Sequence, residues 1–268
     1  MARIISVANQ KGGVGKTTTA VNLAACLAIG QKKILLLDMD PQGNATSGLG
    51  LGGSEEGRRG IYDAIIEETG LERYILDTEI PCLKVVPSTL DLIGAEIELV
   101  DAERREDRLK ECLKGVVDQY DFIFIDCPPS LSLLSINALV ASDSVLIPIQ
   151  CEYYALEGIS KILKTLQLVR EKLNPDLEIE GVLLTMFDSR NNLSHQVADE
   201  IREHLSEKAY NTVIPRNVRV SESPSFGKPV ILYDKHSSGA ISYTAFSREF
   251  LRRSFSTITE EHAEQKAL

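Results

Sequence analysis

A glycine-rich loop between an apolar segment and a helical segment constrains the fold of this chain more than any other feature. The loop, residues 10–18, reads QKGGVGKTT; residues 4–8 before it predict a buried strand, and residues 19–28 after it predict a helix. Glycines let backbone N–H groups turn inward around an anion, and the first turn of a helix adds a partial positive charge. The order of strand, glycine loop and helix therefore predicts a phosphate-binding loop.

Two lysines and a threonine supply the chemistry of this loop. Lys16 is placed to reach the β- and γ-phosphates of a nucleotide, and the Thr17 hydroxyl to bind Mg²⁺. The usual pattern, G-x-x-x-x-G-K-[ST], requires glycine where this chain has Gln10, and a second lysine, Lys11, follows it. Because Lys16 already serves its own chain's nucleotide, Lys11 on the outer lip is available for a nucleotide held by another subunit. The alternative is a solvated lysine without a role.

The signature K-G-G-x-G-K-T-T resembles the deviant Walker loop of the ParA/MinD ATPases. The resemblance implies that ATP and Mg²⁺ are the cofactors and that Lys11 and Lys16 take part in catalysis. It also implies that the whole loop contacts the nucleotide. The nucleotide-binding residues predicted in the loop are Lys11, Gly12, Gly13, Val14, Gly15, Lys16, Thr17 and Thr18.

Apolar runs alternate with helical patterns along most of the chain. The predicted strands are residues 3–8, 33–38, 83–87, 121–126, 144–149, 179–186 and a short one near 212–214; predicted helices include residues 17–28, 131–141, 153–173 and 193–208. The strands are continuously apolar, which indicates burial on both faces. The fold class is therefore α/β: a single-domain P-loop NTPase with a mostly parallel twisted sheet and helices on both faces.

The same pattern sets the predicted boundaries of the domain. Residues 1–255 form the ATPase domain, and the polar residues 256–268 form a C-terminal tail. Residues 43–60 contain seven glycines and few apolar anchors, so a mobile loop is expected there. The charge-rich residues 101–114 predict a surface helix.

Three aspartates follow predicted strands. Asp126 ends the apolar run FIFID, and Asp38 and Asp40 end the run ILLLDMD. Because ligands of open α/β sheets bind at the carboxyl ends of the strands, all three are expected beside the phosphate loop. Asp126 can hold the Mg²⁺ shell, and one of the other two can orient the attacking water. Composition alone does not choose between those two.

The stretch D-x-D-P-Q at residues 38–42 is similar to a motif of the ParA family. The resemblance implies that Asp40 is the catalytic aspartate and that Asp38 lies nearer the Mg²⁺ shell. The predicted metal-site residues are Thr17, Asp38 and Asp126.

A late segment extends the resemblance over most of the chain. Residues 214–219, IPRNVR, and 221–230, SESPSFGKPV, look like the late motif of Soj-type chromosomal ParA proteins. The resemblance implies that Pro215 and Asn217 contact the adenine base; turn formation alone is the competing interpretation. It also implies that Arg190 and Arg219 bind DNA, because they match DNA-binding positions of Soj-type relatives.

The distribution of charge is consistent with a local DNA-binding face. The chain carries a net charge of −10 and has a pI near 5.0, which excludes a generally basic nucleic-acid-coated protein. Residues 211–255 nevertheless contain seven basic and three acidic side chains. This segment supports a local DNA-binding face, and the resemblance implies that double-stranded DNA is bound there without sequence preference.

Cysteine spacing and hydropathy indicate the cellular compartment of the protein. The five cysteines stand far apart without a C-x-x-C pair, which indicates reduced thiols rather than disulfides or a zinc or iron–sulfur site. The sequence contains no apolar run long enough to span a bilayer and no signal-peptide core. We therefore expect a cytoplasmic protein, and the resemblance implies that it associates with the nucleoid.

The resemblance implies an ATP-dependent DNA-partitioning ATPase of the ParA/Soj type. ATP binding would form a sandwich homodimer that binds DNA, and a ParB-type partner would stimulate hydrolysis, driving chromosome or plasmid segregation. A MinD-like membrane-associated positioning ATPase is the first alternative. It requires a C-terminal amphipathic anchor, and acidic residues after residue 255 argue against a stable one: Glu260, Glu261 and Glu264. A metabolic P-loop enzyme is the second alternative, which predicts a substrate pocket and no DNA affinity.

Overall fold

The apolar runs of the sequence form one twisted sheet. The structure, a computed structural model, describes residues 2–52 and 57–265. Within them the sheet has eight strands in the order β3-β4-β2-β5-β1-β6-β7-β8, all parallel to their neighbours except β3, which is antiparallel to β4. The strands are β1 (Arg3–Val7), β2 (Ile34–Asp38), β3 (Leu76–Asp77), β4 (Leu83–Val86), β5 (Phe122–Asp126), β6 (Ser144–Gln150), β7 (Glu178–Phe187) and β8 (Ala209–Pro215).

Helices connect the strands, as parallel pairing requires. In the described part of the chain they are α1 (Lys16–Ile29), α2 (Asn44–Thr46), α3 (Ile61–Glu67), α4 (Leu92–Glu98), α5 (Arg108–Leu113), α6 (Leu133–Ala141), α7 (Ala155–Lys172), α8 (Asn192–Leu205), α9 (Val218–Glu222), α10 (Val230–Tyr233) and α11 (Ser238–Gln265). A π-helical turn, Ser47–Leu51, and four 3₁₀ turns, Leu71–Arg73, Val117–Gln119, Ser206–Lys208 and Ser223–Phe226, complete the helical segments.

Burial on both faces of the sheet explains the continuously apolar strands. Every residue of β2 and β5 is buried. Leu35 and Leu37 join a cluster with α3–α8 on one face, whereas Ile34 and Leu36 join a second cluster with α1, α10 and α11 on the other. The predicted α/β class, with helices on both faces of a mostly parallel sheet, is confirmed.

The order of the strands brings the predicted motifs to one edge. β1 lies between β5 and β6, and β5 lies between β1 and β2. In the register of these strands Asp126 pairs with Val7 on one side and with Asp38 on the other. The glycine loop leaves β1 at this carboxyl edge, so the loop and both aspartates meet at the point where the strand order diverges.

The prediction of a mobile loop at residues 43–60 is wrong for residues 44–51. Residues 44–51 form α2 and the π-helical turn, and residues 53–56 lie outside the described part. Ala45 and Leu49 are buried, and Thr46 is hydrogen-bonded to Asp38 through its backbone N–H and its hydroxyl. Two apolar side chains four residues apart and one polar anchor are enough to fold a segment that its glycines made look unstructured.

The remaining differences concern the ends of elements and elements that were missed. The surface helix expected at residues 101–114 begins only at Arg108, and its Leu109 and Leu113 are buried. The sequence patterns did not predict the short β3, α3, α4 or the long α11. The proposed start of a tail at residue 256 falls within α11, and residues 266–268 lie outside the described part, so the division into domain and tail stays a prediction.

Candidate functional site

The glycine loop has the backbone conformation that an anion cradle requires. Gly13 and Gly15 have φ values of 75° and 86°, in the left-handed region that L side chains rarely adopt. Gly15 lies directly before α1, so the loop feeds into the first turn of that helix. A Cβ added to Gly12 or Gly13 would meet nothing within 4 Å, and both residues are exposed. The outer lip of the loop therefore faces away from its own chain.

Two side chains at the start of the loop anchor it to the fold. Asn9 is buried; its Nδ2 donates to the Pro148 carbonyl oxygen at 2.8 Å, and its Oδ1 accepts from the Lys11 N–H at 3.0 Å. Gln10, which replaces the usual glycine, donates from Nε2 to Thr165 Oγ1 in α7 at 2.6 Å. The departure from the standard pattern thus gives the loop a tether to a helix.

The end of β7 supports the other side of the loop. The Thr185 hydroxyl donates to the Val14 carbonyl oxygen at 2.8 Å. The next residue, Met186, has a φ of 52°, a costly conformation for a side chain of this size. Its Cε lies 4.0 Å from the position of a Cβ on Gly15. A strained residue is thus held against the predicted phosphate site.

Lys16 lies inside the cradle rather than in solvent. Its side chain is buried, and its Nζ donates to the Lys11 carbonyl oxygen at 3.2 Å. Burial lowers the pKa of Lys16, while the negative charges of Asp126 and Asp40 act in the opposite direction. A buried ammonium next to backbone donors is the electrostatic arrangement that favours a phosphate group.

Lys11 makes an ion pair within its own chain. Its Nζ contacts Oε1 of Glu152, which follows β6. Sequence reasoning missed Glu152, because no local motif surrounds this acidic residue. Both side chains remain about one third exposed, at 37% and 32%. For Lys11 to reach a second subunit it must leave Glu152, so the predicted contact stays a prediction.

Asp126 is the most unusual group of the site. It is completely buried, and neither of its carboxylate oxygens has a hydrogen-bond partner among the described residues. Burial raises the pKa of Asp126 well above its usual range; the neighbouring Asp38 raises it further, and the nearby Thr17 hydroxyl, which lies outside hydrogen-bond geometry, opposes the rise. An unsatisfied buried carboxylate fits a bound cation or its water shell.

Asp38 faces the same position from β2 but is well hydrogen-bonded. Its Oδ2 accepts from the Thr46 N–H at 2.8 Å and from the Thr46 hydroxyl at 2.7 Å. Complete burial raises the pKa of Asp38 to about 6, although the bonds from Thr46 lower it. No cluster of three or more His, Cys, Asp or Glu side chains within the described ranges forms a metal cage. One or two carboxylates beside a phosphate loop suit Mg²⁺, which seldom uses all-protein cages.

Asp40 lies two residues beyond β2 and is nearly buried, at 8% exposure. Its Oδ1 accepts from the Gln42 N–H at 3.0 Å, and its carbonyl oxygen accepts from the Gly43 N–H at 2.9 Å. These bonds make a turn that fixes the position of Asp40. Asp38 is completely buried and enclosed by Thr46, so Asp40 is the more exposed of the two carboxylates.

The predicted base contacts lie at the end of β8. Pro215 is the last residue of the strand, and Asn217 is the N-cap of α9. The Asn217 side chain accepts from the Val220 N–H at 3.2 Å and donates to Ser238 Oγ at 2.8 Å. Its amide therefore serves a turn here, and contact with a base stays a prediction.

The two predicted DNA-binding arginines lie at one corner of the same edge. Arg190 follows β7 and Arg219 lies in α9 after β8, and the last residues of these two strands pair with each other. Arg190 is 87% exposed and its guanidinium donates two hydrogen bonds to Asp188; Arg219 is 52% exposed and pairs with Glu222 and Asp234. Both guanidinium groups are accessible to solvent. To bind a DNA phosphate, each must first break its ion pair with a carboxylate of its own chain.

The basic segment of residues 211–255 does not form one face. Arg219 lies at the carboxyl edge of the sheet, whereas Arg253 donates to the carbonyl oxygens of Glu207 and Ala209 at the opposite, amino edge. Arg252 and Arg253 line a cavity of about 660 Å³ there, together with Arg3. The net positive charge of residues 211–255 is therefore larger than the positive charge on any one surface of the fold.

Comparison with known proteins supports the assignment of this edge of the sheet as a nucleotide site. The family model described as "AAA domain" matches residues 2–179. "Chromosome partitioning protein ParA" of Myxococcus xanthus is 55% identical over 254 residues, covering 94% of this chain and 89% of that protein. "Sporulation initiation inhibitor protein Soj" of Bacillus subtilis is 57% identical over 249 residues, covering 93% and 98%.

The chain belongs to the ParA/Soj family of partitioning proteins. Among solved structures, this ParA-family chain is similar to "Cobyrinic Acid a,c-diamide synthase" of Mycobacterium smegmatis with bound ADP and magnesium. The TM-score is 0.82 at 33% identity, covering 96% of this chain and 97% of that one. The predicted family is confirmed, and the predicted cofactors are of the kind held by that neighbour.

Removing the charge of Asp126 is expected to stabilise this ParA-family chain in the absence of nucleotide. Because the folded-state pKa of Asp126 is raised, its ionisation opposes folding, and stability falls as the pH rises above the ordinary aspartate value. At pH 7.5 Asp126→Asn should gain roughly 1–3 kcal/mol of unfolding free energy, and the gain should shrink towards pH 4. Urea titrations without Mg²⁺ measure this.

The matched control for that measurement is Asp176→Asn, which neutralises an exposed aspartate and should change stability little. Equal or lower stability of Asp126→Asn at pH 7.5 would show that the carboxylate is satisfied, and the case for a cation site would be lost.

Proposed function

We propose that this chain is an ATP-dependent partitioning ATPase whose ATP-bound dimer binds DNA without sequence preference. The observation that carries the proposal is the position of Asp126. It is a buried carboxylate with no hydrogen bond from the described residues, on the strand beside the glycine loop that holds Lys16. Together these groups form a site for a nucleoside triphosphate with its metal ion.

In this proposal each group acts on a defined part of the nucleotide. Backbone N–H groups of the loop and the Lys16 ammonium bind the phosphates, replacing the bond from Lys16 to the Lys11 carbonyl oxygen. Thr17, Asp38 and Asp126 are the groups that would hold Mg²⁺, which when bound neutralises charge on the phosphate oxygens. Asp40 orients the water that attacks.

Dimer formation is supported by apolar side chains around the same edge. Tyr153 and Tyr154 are 76% and 61% exposed, and they follow β6 next to Glu152. Other exposed apolar side chains that follow the carboxyl ends of strands are Leu131, Val218 and Phe226. Burying them against a second copy would favour association, and Lys11 would then move from Glu152 to the other subunit's phosphates.

DNA binding is assigned to the corner that carries Arg190 and Arg219. Because single arginines paired with carboxylates bind phosphate weakly, one acidic monomer offers too little to hold DNA. A dimer presents two copies of this pair of arginines. Because ATP binding forms the dimer, DNA binding then depends on ATP. Hydrolysis, stimulated by a ParB-type partner, would separate the subunits and release the DNA. This cycle would place the protein on the nucleoid and segregate a chromosome or a plasmid.

Two other functions predict different properties. A cobyrinic acid synthase-like activity is compatible with the fold, but the two ParA/Soj relatives are 55–57% identical and the synthase is 33% identical. A MinD-like role requires a membrane anchor near the C-terminus. The structure contains no helix, among those it describes, with the length and hydropathy to cross a bilayer. The side chains beyond residue 254 that would form a surface anchor lie outside the described part.

Loss of one arginine is expected to reduce the salt dependence of DNA binding. Each phosphate contact contributes about 0.9 to the slope of log affinity against log salt concentration. Arg219→Ala removes one contact per subunit, so the slope for the ATP-bound dimer should fall by about 2, equally on unrelated sequences. Arg190→Ala should behave in the same way. Fluorescence anisotropy at several salt concentrations measures both.

A suitable control is Arg104→Ala. Arg104 is also exposed and also paired with carboxylates, Asp107 and Glu111, but it lies before α5. If Arg190→Ala and Arg219→Ala keep the wild-type slope, or if Arg104→Ala changes it equally, the DNA face is not at this corner.

A further inference from the structure

Helix α4 presents an apolar stripe to solvent on the side opposite its core contacts. Leu92, Ala95 and Leu99 are buried, at 4% exposure or less, and pack in the cluster that covers one face of the sheet. The stripe consists of four side chains, each at least 54% exposed, that we call the α4 face: Leu90, Ile93, Ile97 and Val100. A helix that is apolar on two opposite sides is built to be covered on both.

The four residues lie on one side because the helical turns continue beyond α4. The Ile93 N–H donates to the Leu90 carbonyl oxygen at 3.1 Å, and the Val100 N–H donates to the Ile97 carbonyl oxygen at 3.2 Å. Spacings of three and four residues therefore place the side chains in a row. Ile97 is 74% exposed, which is unusual for a side chain whose burial is worth about 2 kcal/mol.

Carboxylates border this row on both sides. Glu96 falls on one flank by helical spacing, Glu98 and Asp101 fall on the other, and Asp91 lies near the start; Glu103 follows five residues after α4 ends. Glu98 accepts a hydrogen bond from the Tyr62 hydroxyl. Over the part of the chain that the structure describes, no lysine or arginine forms an ion pair with any of the five.

We propose that the α4 face is a docking site for a basic amphipathic helix of a protein partner. The apolar side of such a helix covers Ile93 and Ile97, and its lysines or arginines meet the carboxylates on the flanks. Charge selects this occupant. A second copy of the chain would bring five carboxylates against five, and an anionic lipid surface would be repelled in the same way.

The α4 face is connected to the nucleotide site through the strand that precedes it. The Ser88 N–H, between β4 and α4, donates to the Thr46 hydroxyl at 3.2 Å, and that hydroxyl donates to Asp38. The segment before the α4 face is therefore linked to Asp38 by two hydrogen bonds. The docking itself can be tested without nucleotide.

The experiment measures binding of model peptides to the full chain by fluorescence anisotropy. The probe is a labelled peptide of about 18 residues, five helical turns, with leucine on one side and lysine on the other. A peptide with glutamate in place of lysine, and a scrambled peptide without an apolar side, complete the set. We expect only the leucine–lysine helix to bind, and Ile93→Ser/Ile97→Ser to weaken it about tenfold or more.

Two further variants separate the apolar contact from general attraction to an acidic protein. Leu168→Ser/Ile241→Ser removes two exposed apolar side chains elsewhere, on α7 and α11, and should leave binding unchanged. Glu96→Lys/Asp101→Lys reverses the charge of one carboxylate on each flank and should weaken binding about as much as the serine pair. This variant keeps the proposal testable if the serine pair fails to fold.

Several results would overturn the proposal. These are no binding of the leucine–lysine peptide, equal loss in the control variant, or equal binding of the scrambled peptide. Nucleotide-free self-association that the serine pair removes would show that a second copy covers the face. Because these assays contain no ATP, their failure leaves the proposed ATPase cycle standing, and failure of ATP to drive dimerisation leaves the docking result standing.

Discussion

Lys16→Ala is expected to abolish nucleotide binding. The Lys16 ammonium is buried in the loop, where its hydrogen bond goes to the Lys11 carbonyl oxygen at 3.2 Å, so a phosphate can replace a neutral acceptor with a charged one. Each hydrogen bond to a charged group contributes about 1.5–3 kcal/mol. Losing two of them should weaken ATP affinity about 100- to 10,000-fold. Isothermal titration calorimetry with ATP and Mg²⁺ measures the change.

The other lysine of the loop provides the control. Lys11 points out of the cradle to Glu152, so Lys11→Ala should bind ATP with nearly unchanged affinity. Wild-type affinity in Lys16→Ala, or equal losses in both variants, would contradict the assignment of Lys16 to the phosphates of its own chain.

The parts of the site that sequence predicted are those with local signatures. The loop and its glycines are contiguous, and the two aspartates each end an apolar strand. Parallel strands bring their carboxyl ends to one edge, so Asp38 and Asp126 had to meet, and the register confirms that they pair. The fold class followed from the continuously apolar strands for the same reason.

The parts that sequence did not predict depend on contacts between distant segments. Gln10 is bonded to Thr165 in α7, and Lys11 to Glu152, across more than a hundred residues. Nothing near Thr165 or Glu152 marks either of them. Residues 43–60 were predicted to be a mobile loop because their many glycines outweighed two apolar anchors, Ala45 and Leu49, which are buried in the structure. Long-range pairing, rather than local propensity, decides such contacts.

The charge of residues 211–255 is a second case in which the sequence alone did not predict the surface. Summed along the sequence, the segment predicted one basic face. The fold divides it, because β8 carries the chain from the amino edge, near Arg253, to the carboxyl edge, near Arg219. A strand that crosses the sheet separates residues that are close in sequence.

Asp40→Ala is expected to bind ATP but to hydrolyse it about 100-fold more slowly or worse. Asp40 is not among the groups assigned to Mg²⁺ or to the phosphates, and the substitution leaves Asp126 and Lys16 unchanged. Substrate binding should therefore survive while water positioning is lost. Because Asp40 also accepts a bond from the Gln42 N–H, Asp40→Asn serves as a second variant that keeps an acceptor for that turn.

Sedimentation velocity of Asp40→Asn and Asp40→Ala tests the central claim, that ATP brings two chains together, most directly. With ATP and Mg²⁺ both variants should sediment as a dimer that persists for hours, and with ADP or without nucleotide as a monomer. Lys16→Ala in the same buffer should remain monomeric throughout. A monomer in ATP for variants shown to bind ATP, or a dimer equally present without nucleotide, would contradict the account.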